Sequence, residues 1–289
     1  MIDVFKNLYN YIDMTTVVKG LVNNAAFKIT DAEIIMSMLS TWGNKFNMII
    51  LSVSTGIVVS LIPNLTQALV NKDKKDINRK VSQSLNVLLF FTVPMTVGIS
   101  FLAKPIWTLF YGNSIYGSSV LSFLIFSGLM ICLFTVVISI MQVLKDYKTV
   151  FWSLFFGVIL KFILNNSLIS VFYKIGVPAY YGVISATIIG YLLSFIICIF
   201  ILCFKYDISF EDVIKSTVDI ISSTMIMIFA LFLIKFIIPI SSSIRINNLF
   251  IILAYTLIGG VIYMFYAHRC GLIKKLFGNK FKLYKKNNE

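Results

Sequence analysis

The sequence predicts an all-α integral membrane protein with seven membrane-spanning helices and one partial helix at the N-terminus. Of its 289 residues, 58% are hydrophobic and only 13% are charged, whereas an ordinary soluble domain carries roughly 25% charged residues. The apolar residues also stand in long blocks, and about 20 such residues are needed to cross a bilayer as a helix. These two observations exclude a disordered chain and a typical soluble enzyme.

The N-terminal segment, residues 1–27, is predicted to be a partial transmembrane helix. Asp3, Lys6, Asp13 and Lys19 interrupt its apolar sequence, so it needs neighbouring helices to satisfy its charges. It lacks the continuous apolar region and the small-residue cleavage site of a signal peptide.

Seven apolar blocks with few charges follow this segment. Five fall within residues 28–204, two more lie within residues 205–268, and residues 269–289 form a basic tail. The predicted spans are 46–70, 81–103, 119–143, 149–173, 180–204, 219–240 and 246–267.

The placement of basic residues predicts the orientation of the chain. If seven spans follow Lys45, one side of the membrane receives 16 Lys and Arg residues and the other receives six. The richer side includes the loop at 71–80 and the C-terminal tail, and the positive-inside rule places it in the cytoplasm. The net charge of +13 therefore points to anionic membrane lipids as partners, and not to nucleic acid.

The sequence carries no recognisable catalytic or metal-binding constellation. The one histidine, His268, stands at a predicted membrane edge, and the four cysteines form no C-x-x-C motif. Phosphate-binding loops and nucleophile-elbow motifs are absent from the sequence. We therefore predict no enzyme activity, no metal and no cofactor.

The most informative polar residue is Lys161, which falls at the centre of the span 149–173. A charge there costs ~2.5–3.5 kcal/mol on insertion scales, so it usually faces a bundle interior or a water-filled cavity. Asn165 and Gly157 lie one turn away on the same helix face. Two interpretations remain open. Lys161 is either part of a functional cavity wall or coupling site, or a structural buried lysine whose charge is compensated by carbonyl groups and one acidic residue.

A second pattern concerns helix packing. Gly182, Ala186 and Gly190 recur every four residues and predict a face of small residues for close contact with another helix. Pro63 and Pro94 lie inside spans, where proline removes a backbone hydrogen bond and favours a kink.

Ordered motifs along the chain resemble the MATE-like flippase superfamily. A span ending in L-x-P-x-L at Pro63 is followed by a basic loop and a span with Pro94 and Gly98. Two short motifs come next, L-A-x-P-I and L-F-Y-G. Further along the chain, two longer segments follow in the same order as in the family, KFILNNSLI and GVISATIIGYLLSF. The pattern is similar to the polysaccharide-biosynthesis branch, in particular the stage V sporulation protein B group and the related lipid II flippases.

The resemblance implies a particular architecture. Such transporters have about 14 helices in two pseudo-symmetric lobes around a central cavity, and this chain resembles only the C-terminal lobe. A missing N-terminal lobe is therefore an expected partner, together with membrane lipids and a lipid-linked saccharide substrate. The location that the resemblance implies is the bacterial cytoplasmic membrane, which the chain would cross several times with its C-terminus in the cytoplasm.

The resemblance also implies site residues. An arginine that binds substrate pyrophosphate in some relatives corresponds to Asn44, with Lys45 beside it. Some relatives hold a sodium ion, and the matching positions are Asp13, Lys161, Asn165, Val183 and Thr187. Because a lysine occupies one of these positions, we hypothesise that its ammonium group replaces the cation and pairs with Asp13.

The predicted function is therefore translocation of a lipid-linked oligosaccharide or peptidoglycan precursor by alternating access, as part of a larger transporter. Coupling to Na+ or to the membrane potential is left open. Two alternatives stand beside it. One is a cation-coupled multidrug exporter of the same superfamily, which would require acidic residues in the cavity. The other is a non-transporting membrane scaffold or a truncated fragment.

Overall fold

The computed structural model describes residues 2–237, 239–240 and 245–277. Within these ranges the chain is helical and contains no strand. Seven helical segments are long and apolar enough to cross a membrane, which confirms the predicted fold class. Most of the predicted basic tail, residues 278–289, lies outside the described residues.

In chain order the helices are α1 (Ile2–Ala25), α2 (Ile29–Ser37), α3 (Asn44–Val70), α4 (Lys74–Phe101), α5 (Ala103–Tyr111), α6 (Gly117–Val143), α7 (Tyr147–Lys174), α8 (Tyr180–Tyr206), α9 (Glu211–Ile234), α10 (Arg245–Arg269) and α11 (Leu272–Phe277). Five of the predicted spans coincide with helices to within about two residues, whereas α4 begins before the predicted 81–103 and α9 begins and ends before the predicted 219–240.

The core is built around α6, which packs against α3, α4 and α8. On one side of it α8 packs along α7, and α1 lies along α7 in turn. On the other side α9 and α10 pack together, and α9 lies against α4. Phe5 packs against Phe151 at one end of α1, and Gly20 lies beside Ile169 near the other. Helices α1 and α7 therefore run parallel.

One expected loop is largely helical. The basic segment at 71–80 was expected to connect two spans, but α4 begins at Lys74 and includes most of it. The Asp73 carboxylate accepts a hydrogen bond from the Asp76 backbone N–H at 3.1 Å and caps the helix. Lys80 and Asp76, which are one turn apart, form an ion pair at 2.9 Å. These local contacts extend α4 beyond the apolar block.

Helices α2 and α3 are joined by a π-helical turn, Met38–Trp42. The Gly43 N–H closes this turn by donating to the Met38 carbonyl at 2.8 Å. A Cβ atom at Gly43 would stand 2.5 Å from a methyl carbon of Leu124 on α6, so glycine permits the close approach of the two segments. Helix α3 begins directly after this turn and packs against α6 and α4.

The small-residue face of α8 packs as predicted. A Cβ atom at Gly190 would stand 2.8 Å from the Gly157 carbonyl oxygen of α7, and one at Gly182 would stand 2.6 Å from the Ile169 nitrogen. Backbone therefore meets backbone along the α7–α8 interface, which confirms the predicted packing role of Gly182, Ala186 and Gly190.

Candidate functional site

The centre of the candidate site is an ion pair between α1 and α7. The Lys161 ammonium lies 2.7 Å from the Asp13 carboxylate, and it donates a second hydrogen bond to the Tyr9 backbone carbonyl at 3.0 Å. The Lys161 side chain is 1% exposed and that of Asp13 is 18% exposed. The structure thus places the two residues in contact, as the hypothesis of their pairing requires.

Two aromatic rings enclose this pair. The Lys161 ammonium lies 4.9 Å from the centre of the Tyr9 ring, within the range of a cation–π interaction. Tyr9 stacks on Tyr191 of α8 with ring centres 4.3 Å apart. The Tyr9 ring thus lies between the ammonium group and the Tyr191 ring.

Asn165 completes the polar cluster from the next turn of α7. Its amide Nδ2 donates to the Thr16 hydroxyl at 2.6 Å and lies 3.4 Å from Asp13 Oδ1. Its Oδ1 atom is enclosed and has no hydrogen-bond partner among the described residues. Asp13 is thus held by two side chains of α7 that lie one turn apart.

A cavity of about 300 Å³ adjoins the pair. It lies between α1, the π-helical turn and the beginning of α3, and the middle parts of α6, α7 and α8. Its polar lining residues are Asn7, Tyr9, Asn10, Asp13, Ser40, Asn44, Ser127, Lys161, Thr187 and Tyr191. This lining suits a polar, hydroxyl-rich ligand, because amides and hydroxyls both donate and accept hydrogen bonds.

The structure brings most of the predicted site residues together. Asp13, Lys161, Val183, Thr187 and Asn44 line this cavity. The Thr187 hydroxyl donates to the Val183 carbonyl at 3.2 Å.

Two predicted residues stand apart from the cavity wall. Asn165 is fully buried directly behind the pair. Lys45 is exposed and does not line the cavity, although it directly follows Asn44. The predicted roles of Asn44 and Lys45 in binding substrate stay predictions.

The pair does not leave a free positive charge in the cavity. The Lys161 ammonium is matched by the Asp13 carboxylate at contact distance, so the two charges largely cancel for a ligand farther away. A cation in the same place would have to displace the ammonium group from the Asp13 oxygen. The arrangement is what the hypothesis of a built-in cation requires.

Some residues in or directly behind the cavity wall were not predicted from the sequence. Asn47 is 1% exposed, and its amide lies 3.2 Å from Asn44 Oδ1 and 3.4 Å from the Ser127 hydroxyl. It therefore orients Asn44 at the edge of the cavity. The sequence spacing could have indicated Asn47, because Asn44 and Asn47 are three residues apart and share a helix face. Tyr9 could have been found in the same way, since it is four residues from Asp13.

Comparisons with known proteins agree with this architecture. Residues 40–166 match the MatE family. Over 280 residues the chain is 27% identical to the lipid II flippase MurJ of Bacillus subtilis (strain 168). The aligned region covers 94% of this chain and 50% of that protein. A solved structure, lipid II flippase MurJ in the inward closed conformation, matches with a TM-score of 0.58 and 18% identity. That match covers 86% of this chain and 54% of the other.

These findings confirm the resemblance to MATE-like flippases that the motifs indicate. The chain is homologous to the lipid II flippase of Bacillus subtilis, and the structural match shows a shared fold. The chain spans about half the length of the curated relative it matches.

Proposed function

We propose that this chain forms one lobe of a transporter that flips a lipid-linked oligosaccharide or peptidoglycan precursor across the bacterial cytoplasmic membrane. The mechanism is alternating access, in which the polar headgroup passes through a cavity between two lobes while the lipid tail stays in the bilayer. The homology to a lipid II flippase over most of this chain supports the proposal.

The structural observation that carries the proposal is a polar stripe along α3. Ser52, Thr55, Ser60 and Asn64 are exposed in the middle of this spanning helix and are spaced at three to five residues. Thr55 shares the helix face on which Asn44 lines the cavity, whereas Ser52, Ser60 and Asn64 line an open groove between α3 and α4. Polar groups on a spanning helix are costly in contact with lipid and usually face a bundle interior or a water-filled path.

The other lobe is the proposed partner on this face. Large apolar side chains are also exposed beside the stripe, including Met48 and Val59 on α3 and Tyr11 and Met14 on α1. A second lobe would cover these residues and would leave the polar stripe to line the path between the lobes. Substrate contact by Asn44 and Lys45 fits the mouth of that path, where Lys45 is exposed.

The Lys161–Asp13 pair is proposed to act as a built-in cation site between α1 and α7. Its ammonium group supplies the positive charge that links the two helices, and so no soluble cation is required for that link. The multidrug-exporter alternative is less well supported, because Asp13 is the only carboxylate among the described cavity-lining residues and Lys161 already neutralises it.

Complementation tests the proposed function. A Bacillus subtilis strain depleted of its lipid II flippase would express this chain fused behind the N-terminal half of that relative. We expect the fusion to restore growth, and Ser60→Leu together with Asn64→Leu to abolish the rescue, because the two leucines make the proposed path apolar.

The matched control is Ser167→Leu, which replaces an exposed hydroxyl on α7 outside the stripe. It should leave the rescue intact. A well-inserted fusion that restores no growth would favour the non-transporting scaffold. If the stripe variant and the control reduce the rescue equally, the stripe does not line the translocation path.

A further inference from the structure

A second cavity, of about 800 Å³, lies outside the site described above. It is open and forms where the first turns of α4 meet the connection between α8 and α9 and the short helix α11. Its walls include Lys75, Arg79, Asn86, Asp212 and Lys275. These elements carry the basic segments of the chain.

Asn86 lies in the wall of this cavity without a partner for its carbonyl group. The side chain is 4% exposed, and its Oδ1 atom is enclosed with no hydrogen-bond partner among the described residues. The adjacent polar side chains point elsewhere: the Ser82 hydroxyl donates to the Ser209 carbonyl and the Gln83 amide to the Leu276 carbonyl, each at 3.4 Å. A buried amide group without a partner is costly, and a ligand with a hydroxyl group would satisfy it.

The rim of the same cavity is cationic. Lys75 is exposed and has no ion-pair partner among the described residues. The Lys275 ammonium donates to the Asp212 backbone carbonyl at 3.3 Å and lies 3.9 Å from the carboxylate of the same residue, which is a loose ion pair. Arg79 pairs with Asp76 but has five N–H donors, so it can bind a second oxygen group.

We propose that this cavity binds a phosphate-bearing headgroup that also carries hydroxyl groups, such as the headgroup of an anionic glycerophospholipid. Lys75, Arg79 and Lys275 would bind the phosphate, since ammonium and guanidinium groups are its usual protein ligands. The Asn86 amide would bind a headgroup hydroxyl. The proposal does not rest on the proposed transport function, because it concerns a different cavity.

Lipid binding to the purified protein tests this site. The chain in detergent would be titrated with phosphatidylglycerol or phosphatidylcholine, and bound lipid would be counted by native mass spectrometry. We expect phosphatidylglycerol to bind in preference. Lys75→Gln with Arg79→Gln should weaken its binding about 25-fold, at about fivefold for each charge, and Asn86→Leu should weaken it about fivefold.

A matched control separates a built site from general surface charge. Lys148→Gln with Lys215→Gln removes two exposed basic residues that lie near the same ends of the spanning helices but outside the cavity. This control should bind phosphatidylglycerol within about twofold of the wild type. Equal losses in the control and in the Lys75/Arg79 variant would overturn the proposal, as would equal binding of the two lipids by the wild type.

Two further arms complete the experiment. Competition by sn-glycerol 3-phosphate would assign the site to soluble phosphate esters, and its failure to compete would assign the site to lipid; both outcomes support the shared chemistry. Unchanged binding in a folded Asn86→Leu variant would overturn the role of the amide. If that variant does not fold, phosphatidylglycerol binding by the Lys75/Arg79 variant can still be compared with binding by the Lys148/Lys215 control. That comparison decides whether the cavity binds phosphate.

Discussion

Lys161 illustrates how a single residue can carry charge inside an apolar bundle. A buried ammonium group loses its hydration, and only close partners can compensate for that loss. Here three groups of α1 do so: the Asp13 carboxylate, the Tyr9 carbonyl and the face of the Tyr9 ring. Without the ammonium group, the Asp13 carboxylate and the unpartnered Asn165 Oδ1 atom could serve a metal cation, because carboxylate and amide oxygens are ligands for hard cations.

The residue-scale prediction follows from this competition. The thermal stability of the wild type in detergent should be the same in sodium chloride and in choline chloride at equal ionic strength, because the Lys161 ammonium already occupies the site. In choline chloride, Lys161→Asn should lower the free energy of unfolding by about 3 kcal/mol. This value is at the low end of the usual loss for a broken buried ion pair, because Asp13 is partly exposed. Sodium should restore part of this stability.

The control for this measurement is Lys174→Asn, which changes an exposed lysine in the last turn of the same helix. It should show neither the loss nor the sodium effect. A clear sodium dependence of the wild type would contradict the built-in cation.

At the scale of the helices, the α7–α8 interface positions the site. Gly157 and Gly190 let the two backbones approach closely, and both lie next to Tyr9 of α1. Tyr191 follows Gly190 directly and stacks on the Tyr9 ring. Close packing of α8 against α7 therefore sets where the aromatic wall of the cavity stands.

The first element-scale prediction concerns this contact. In Gly157→Ala the added Cβ would stand 2.7 Å from the Gly190 carbonyl oxygen and 2.7 Å from the Tyr9 hydroxyl. Because a backbone must shift, we expect a loss of about 1–3 kcal/mol and a lower melting temperature. Gly260→Ala on α10, where no atom lies within 4 Å, should have no such effect; equal shifts in both variants would show that packing is not the cause.

A second element-scale prediction concerns the connection before α7. Asp146 accepts hydrogen bonds from Lys205 at 2.7 Å, Tyr206 at 3.0 Å and the Thr149 N–H at 3.3 Å. Burial of the carboxyl group opposes its ionisation, but these bonds outweigh the burial, and the pKa of Asp146 lies below its usual value. The contact joins the end of α8 to the beginning of α7.

Acid should weaken this contact in a defined direction. Since the pKa is lower in the folded state, the stabilisation is complete above the unfolded pKa of about 4 and disappears as the pH falls through the folded value. Melting curves between neutral and acidic pH should show Asp146→Asn less stable than the wild type at pH 7 and less sensitive to acid. Asp207→Asn, in an exposed pair with Lys74, should resemble the wild type.

At the scale of the whole molecule, the basic residues gather at one set of helix ends. The connections before α4, α7 and α9 and the segment after α10 carry most of them. The opposite ends carry the π-helical turn and the aromatic cluster of Trp42, Trp107 and Tyr111. A molecule with such charge asymmetry is expected to insert with its basic ends in the cytoplasm.

Cys270 offers a direct test of this orientation. It is exposed after α10, whereas Cys132 and Cys198 are buried. In a Cys203→Ser background, a membrane-impermeant maleimide should label Cys270 in inverted vesicles and not in intact cells. Labelling in intact cells would place the C-terminal end outside and reverse the predicted topology.

The sequence alone determined the membrane class, the seven spans and the small-residue face of α8. These properties could be predicted because each depends on a short segment: a bilayer requires a fixed length of apolar helix, and close packing requires small residues at a helical spacing. The family resemblance likewise depended on ordered local motifs. The segment before Val81 was less predictable, since a cap and ion pairs made it helical although its composition is polar.

The family resemblance suggested that Lys161 pairs with Asp13, but only the tertiary structure decided the geometry of that pair and its other partners. Asp13 and Lys161 are 148 residues apart, and they meet because α1 packs along α7. The rotation of α3 places Asn44 in the cavity and its neighbour Lys45 outside it. Hydropathy reports how apolar a helix is but not which neighbour each face meets, because that choice depends on contacts between segments distant in sequence. The second cavity around Asn86 likewise arises only where α4, the α8–α9 connection and α11 converge.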